Sequence, residues 1–128
     1  MHTLPALLSL SLLASPALAA DLPRCDASSV LDTIVARQHG VEQRLSLDGV
    51  VIATIARPGE TATATPHSYA FAQRHCTATA VLAGGGKRAL YYVITAEGGY
   101  AGYGWSVDYC LPGHDRFYFD DADCRVLR

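Results

Sequence analysis

The segment Ala70-Phe71-Ala72-Gln73-Arg74-His75-Cys76-Thr77-Ala78-Thr79-Ala80-Val81-Leu82 carries a regular alternation from which the architecture can be built. Its even positions, Ala72, Arg74, Cys76, Ala78, Ala80 and Leu82, are small and apolar from Cys76 onward. Its odd positions, Phe71, Gln73, His75, Thr77, Thr79 and Val81, are largely polar. Side chains of a strand alternate between two faces, so the pattern predicts a half-buried antiparallel strand. Small residues on its inner face leave room for a helix to lie close against it.

The neighbouring segments extend this strand into a sheet. Downstream, Gly84-Gly85-Gly86 turns the chain into Lys87 to Ala96, where Leu90, Tyr92 and Ile94 share one face. A glycine-rich loop, Gly98-Gly99-Tyr100-Ala101-Gly102-Tyr103-Gly104, leads into Trp105 to Cys110. There Trp105, Val107 and Tyr109 are expected to point inward, and Ser106, Asp108 and Cys110 outward. Leu111-Pro112-Gly113 reads as a further turn, and Arg116-Phe117-Tyr118-Phe119 as a short strand or extended segment. Upstream, the β-branched run Val50 to Arg57 predicts a strand ending at Pro58-Gly59, followed by a loop from Thr61 to Ser68.

Before the strands lies one helical pattern. Val30, Leu31, Ile34 and Val35 form an apolar stripe, Ser29-x-x-Asp32 resembles a capping box, and Gly40 offers a stop after about three turns. Leu45 and Leu47 alternate before the turn signal Asp48-Gly49. The expected fold is α+β: one N-terminal amphipathic helix packed on a four- to five-stranded antiparallel meander sheet.

Register then bears on the cysteines. Cys25, Cys76, Cys110 and Cys124 are even in number and contain no C-x-x-C, so two structural disulfides are expected rather than a zinc or redox site. Cys76 faces the helix, whose start carries Cys25, while Cys110 faces away, toward the tail that carries Cys124. This favours Cys25–Cys76 and Cys110–Cys124. A Cys76–Cys110 bond would have to pass over the intervening Lys87 strand.

The first twenty of the 128 residues contain no Asp, Glu, Lys or Arg. The apolar run Leu7 to Ala14 and the A-x-A pattern Ala17-Leu18-Ala19 read as a secretory signal peptide over residues 1–20, cleaved after Ala19 or Ala20. Residues 21–128 then form a single disulfide-braced domain, periplasmic or secreted, without a membrane span. Arg24 before Cys25 does not suit lipid attachment. A formal charge of -2 supplies no basic field for a nucleic acid backbone. Half the residues are apolar and 17% are charged, a balance that excludes a disordered chain.

Few residues suggest chemistry. His39, His67, His75 and His114 form no metal-ligand spacing, and there is no G-x-S-x-G, so neither a metal, a cofactor nor a catalytic nucleophile is expected. His39 is expected at the helix end, where a cation suits the dipole. His75 and Asp108 share the outer sheet face, and an acid/base pair there is conceivable, although solvated polar residues explain them as well. Asp115, Asp120, Asp121 and Asp123 cluster without the regular spacing of a calcium loop. In the glycine-rich loop, core packing accounts for Trp105 and Tyr109. Tyr100 and Tyr103 at the tip, with His75 and Asp108 on the outer sheet face, are the candidate partner contacts.

The run Arg74 to Ala80, then Gly85, then Leu90-Tyr91-Tyr92-Val93-Ile94, resembles the strand pair of small exported bacterial proteins with a cystatin-like or NTF2-like sheet around one helix. That resemblance implies a fold and no particular activity. The expected role is a non-catalytic binding or accessory protein of the cell envelope, with a protein or cell-wall partner and no nucleic acid. The alternatives are an inhibitor or immunity factor for a secreted hydrolase, and a small enzyme using His75 and Asp108.

Overall fold

The computed structural model describes residues 22–45, 49–64, 71–114, 120–121 and 123–128. One helix, α1 (Ser28–Leu45), packs on a four-stranded antiparallel sheet of β1 (Ile52–Ala64), β2 (Gln73–Leu82), β3 (Lys87–Ala96) and β4 (Trp105–Cys110). The strands lie in chain order, a plain meander, so β3 separates β2 from β4. The expected α+β architecture is the one found. The expected signal peptide (residues 1–20), residues 65–68 of the expected loop with His67, Asp115, and residues 116–119, expected as a strand or extended segment, lie outside the described residues.

Alternation along β2 builds the core. Cys76 and Ala80 are buried on its inner face, beside Leu90, Tyr92 and Ile94 of β3 and Val107 of β4. Val30 and Ile34 of α1 close over them, with Ile52 of β1 at the far side. A second, small cluster lies on the outer face: Val93, Cys110, Cys124 and Leu127, with Tyr91 against it. A 3₁₀ turn, Arg125–Leu127, holds the tail there, and Arg128 sits 4.8 Å above the Tyr91 ring. Cys25–Cys76 joins the helix entry to β2, and Cys110–Cys124 joins β4 to the tail. The Cα separations of 5.8 and 5.7 Å are ordinary for disulfides.

Several boundaries differ from the expectation, each for a physical reason. Helix α1 runs through Gly40 to Leu45, five residues beyond the expected stop. A mid-helix glycine costs only about 1 kcal/mol, and tertiary bonds offset it. Gln38 Nε2 donates to the Val50 carbonyl at 2.9 Å, and the Gly49 amide donates to Glu42 Oε2 at 3.0 Å. His39 is therefore inside the helix and not at its end, with Nε2 3.3 Å from Gln43 Nε2. Ser29 likewise lies within the first turn, where its carbonyl accepts from the Thr33 hydroxyl, so it does not cap the helix.

Strand β1 does not stop at Pro58-Gly59 but continues to Ala64, taking in Thr61 to Ala64. The register slips between Ala56 and Gly59, and Arg57 takes a positive φ of 51°. β1 is an edge strand, so the missing N–H of Pro58 breaks no ladder and the irregularity is absorbed as a bulge. At the β2–β3 turn, Gly85 donates to the Leu82 carbonyl with φ at 96°, a left-handed position that glycine fills without strain.

Candidate functional site

The glycine-rich loop joins β3 to β4, and its two tip tyrosines are among the most exposed large side chains described: Tyr100 at 97% and Tyr103 at 81%. The backbone beneath them is closely determined. The Tyr103 amide donates to the Tyr100 carbonyl at 3.1 Å, and Gly102 donates to Gly99 at 3.0 Å. Ala101 (φ 55°, ψ 25°) and Gly102 (φ 79°) both take the positive φ of the central residues of a type I′ turn. Gly99 is required by a close approach, because a Cβ there would collide with the Tyr103 carbonyl. The loop thus presents two aromatic rings from a folded turn rather than from open chain.

The other aromatics near the loop serve the interior. Trp105 and Tyr109 pack against the core. The Tyr109 hydroxyl donates to Gln38 Oε1 at 3.1 Å, and burial raises its pKa. Tyr92 donates to the Cys25 carbonyl at 2.7 Å, and desolvation pushes its pKa up to about 12. Both phenols are neutral structural donors.

His75 and Asp108 share the outer face, but Val93 stands between them: His75 pairs with Val93 across one ladder and Val93 with Asp108 across the next. Two strand spacings amount to roughly 10 Å, beyond hydrogen-bond reach. Instead His75 Nδ1 lies 3.5 Å from the Leu127 carbonyl of the tail. His114 meets the Arg88 guanidinium, whose Nε donates to its Nε2 at 3.2 Å. Of the acidic cluster, Asp121 pairs with Arg125 at 2.9 Å. Among the described residues no three His, Cys, Asp or Glu side chains gather as metal ligands, and no helix is long and apolar enough to cross a membrane.

One polar constellation has no motif in the sequence to announce it. Where the chain enters α1, a cavity of about 310 Å³ opens against the β1 bulge. Arg24, Asp26, Glu60 and Arg74 line it, with Pro58 and Gly59. Arg24 holds Asp26 through Nε (3.0 Å) and Nη2 (3.2 Å), and Arg74 pairs with Glu60, which also accepts from the Thr63 hydroxyl. The available signal was Arg74 itself, a charge on the inward face of β2. Its partners follow only from the bulge, which sets Glu60 opposite Cys76 and Thr63 opposite Arg74.

Comparison with protein-family models, curated proteins and solved structures gives no match.

Proposed function

We propose that this chain is an exported, non-catalytic binding protein that meets its partner through Tyr100 and Tyr103. The observation that carries the reading is the pairing of near-complete exposure with a folded turn. Two rings at 97% and 81% exposure flank a hydrogen-bonded turn. Exposed aromatics of this kind are the side chains that dominate interfaces, and a loop ordered beforehand loses little entropy on docking. Two disulfides suit folding in an oxidising compartment, and residues 1–20 supply the expected export signal. The partner is a protein or a cell-wall component of the envelope.

Affinity capture from an envelope extract, with oxidised residues 21–128 as bait, tests the reading. The wild-type bait should retain a specific partner, and Tyr100→Ala/Tyr103→Ala should weaken that binding by about 30-fold or more, as expected for two hot-spot aromatics. Equal retention by bait and double variant would overturn the role of the loop. An intact N-terminus on protein isolated from the producing cell would overturn cleavage of the signal.

A further inference from the structure

We propose that the outer face of the sheet, from Phe71 and the tyrosine loop to the row Gln73, Thr95 and Ser106, binds a neutral glycan strand. The inference rests on the reading of the tyrosine loop as a contact and names the chemistry of the partner.

The register assembles this surface from three strands and the loop. Gln73 pairs with Thr95 and Thr95 with Ser106, so their side chains form one row across β2, β3 and β4. The next row is His75, Val93 and Asp108. Val93 packs in the outer cluster with Cys110, Cys124 and Leu127, and alternation puts both rows on that same face. The ladder runs on past Gln73, because the Ala96 amide donates to the Ala72 carbonyl at 2.9 Å. Phe71 stands there, 54% exposed, at the end of the sheet that carries Tyr100 and Tyr103. On the β4 side the row meets the loop directly, since a Cβ on Gly98 would collide with Ser106 Oγ. Three of the exposed large apolar side chains thus gather at one end, above a row of uncharged polar ones.

Charge and hydrogen-bonding capacity select the occupant. Gln73, Thr95 and Ser106 are half-buried, neutral, and able both to donate and to accept. Gln73 Nε2 donates to Thr95 Oγ1 at 3.4 Å, and no other side-chain bond engages the row among the described residues. The flanking charges, Glu97 and Asp108, are acidic and exposed. Arg74, next to the row in sequence, lies on the opposite face and pairs with Glu60. An anionic lipid surface calls for clustered Lys and Arg, which this end of the face does not supply. A sugar ring suits it: its C–H side stacks on an aromatic ring, and its neutral hydroxyls exchange bonds with amides and hydroxyls. Strands lie about 4.8 Å apart, close to the span of one pyranose, so a glycan laid across them meets successive members of the row.

Titration of oxidised, ¹⁵N-labelled protein with chitotetraose, with cellotetraose and with phosphatidylcholine vesicles tests the assignment. At least one tetraose should shift the Gln73 side-chain amide and the Gly99 and Gly104 amides saturably. Phe71→Ala and Gln73→Ala should each weaken that binding by about fivefold or more, with a dispersed spectrum showing that each variant is folded. No saturable shift up to about 50 mM, or binding unchanged in both variants, would overturn the site. Saturable binding of the vesicles and of neither tetraose would overturn the glycan in favour of lipid. Capture of a protein partner that Tyr100→Ala/Tyr103→Ala loses, without tetraose binding, would overturn the glycan and leave the loop reading standing. Tetraose binding unchanged in Tyr100→Ala/Tyr103→Ala would contradict the loop reading on which the inference rests.

Discussion

At the scale of single residues, the tip of the β3–β4 loop combines strain with exposure. Ala101 is left-handed, a conformation that costs a non-glycine residue about 1 kcal/mol or more. Ala101→Gly should raise stability by up to about 1 kcal/mol, read as a higher midpoint in chemical denaturation. Unchanged or lower stability would contradict the left-handed turn. Tyr100 and Tyr103 bury almost nothing, so their alanine variants should leave that midpoint within about 0.5 kcal/mol of wild type. These two rings were legible in the sequence because glycines flank them. Arg74 was legible only as an oddity. Its inward position followed from alternation, but its partner Glu60 sits across a bulge that no local pattern announces.

At the scale of elements, local signals were overruled where tertiary bonds were available. Gly40 and Pro58 both read as stops, and the chain runs through both. The reason in α1 is Gln38, whose amide joins three elements: it donates to Val50 before β1 and accepts from Tyr109 of β4. Gln38→Ala should destabilise the fold by about 2 kcal/mol, because it leaves the Val50 carbonyl and the Tyr109 hydroxyl unsatisfied. Helical signal should be lost first beyond Gly40, which amide hydrogen exchange along residues 39–45 would register. In β1 the edge position makes Pro58 harmless. The strands themselves were easier to read. Period-two alternation in β2, β3 and β4 assigned Cys76 inward and Cys110 outward, and both disulfides followed from that register.

At the scale of the whole molecule, two braces hold two layers. In the chain-entropy description Cys25–Cys76 contributes about 4 kcal/mol and Cys110–Cys124 about 3 kcal/mol. Cys110→Ser/Cys124→Ser should therefore cost about 3 kcal/mol and free the tail, uncovering Val93 on the outer face while the inner core persists. Hydrogen exchange of β3 and β4 beside retained helical signal would report that outcome, and loss of the whole fold at once would oppose it.

The pH dependence also belongs to the whole molecule. The Arg24 hydrogen bond holds the Asp26 carboxyl below the ordinary carboxylate range, and the Thr63 hydroxyl, then Arg74, does the same for Glu60. Depressed carboxyls favour the folded chain only when ionised. Their contribution is thus complete above about pH 5 and is lost as pH falls through the lowered values. Tyr92, raised to about 12, acts at the other end. Its contribution is intact below about pH 10 and disappears as pH rises from there toward 12. Denaturation midpoints across pH should show a plateau between these limbs, with Asp26→Asn/Glu60→Gln flattening the acid limb alone.

On the proposed reading, a braced scaffold holds Tyr100 and Tyr103 in place before any partner arrives. Backbone ¹⁵N relaxation of Tyr100 to Gly104 in the free, oxidised protein tests it most directly. Order parameters near about 0.85, equal to those of β3 and β4, are expected. Values below about 0.6 across the turn would contradict the claim, since the tyrosines would then be carried on a loop that partner binding itself must order.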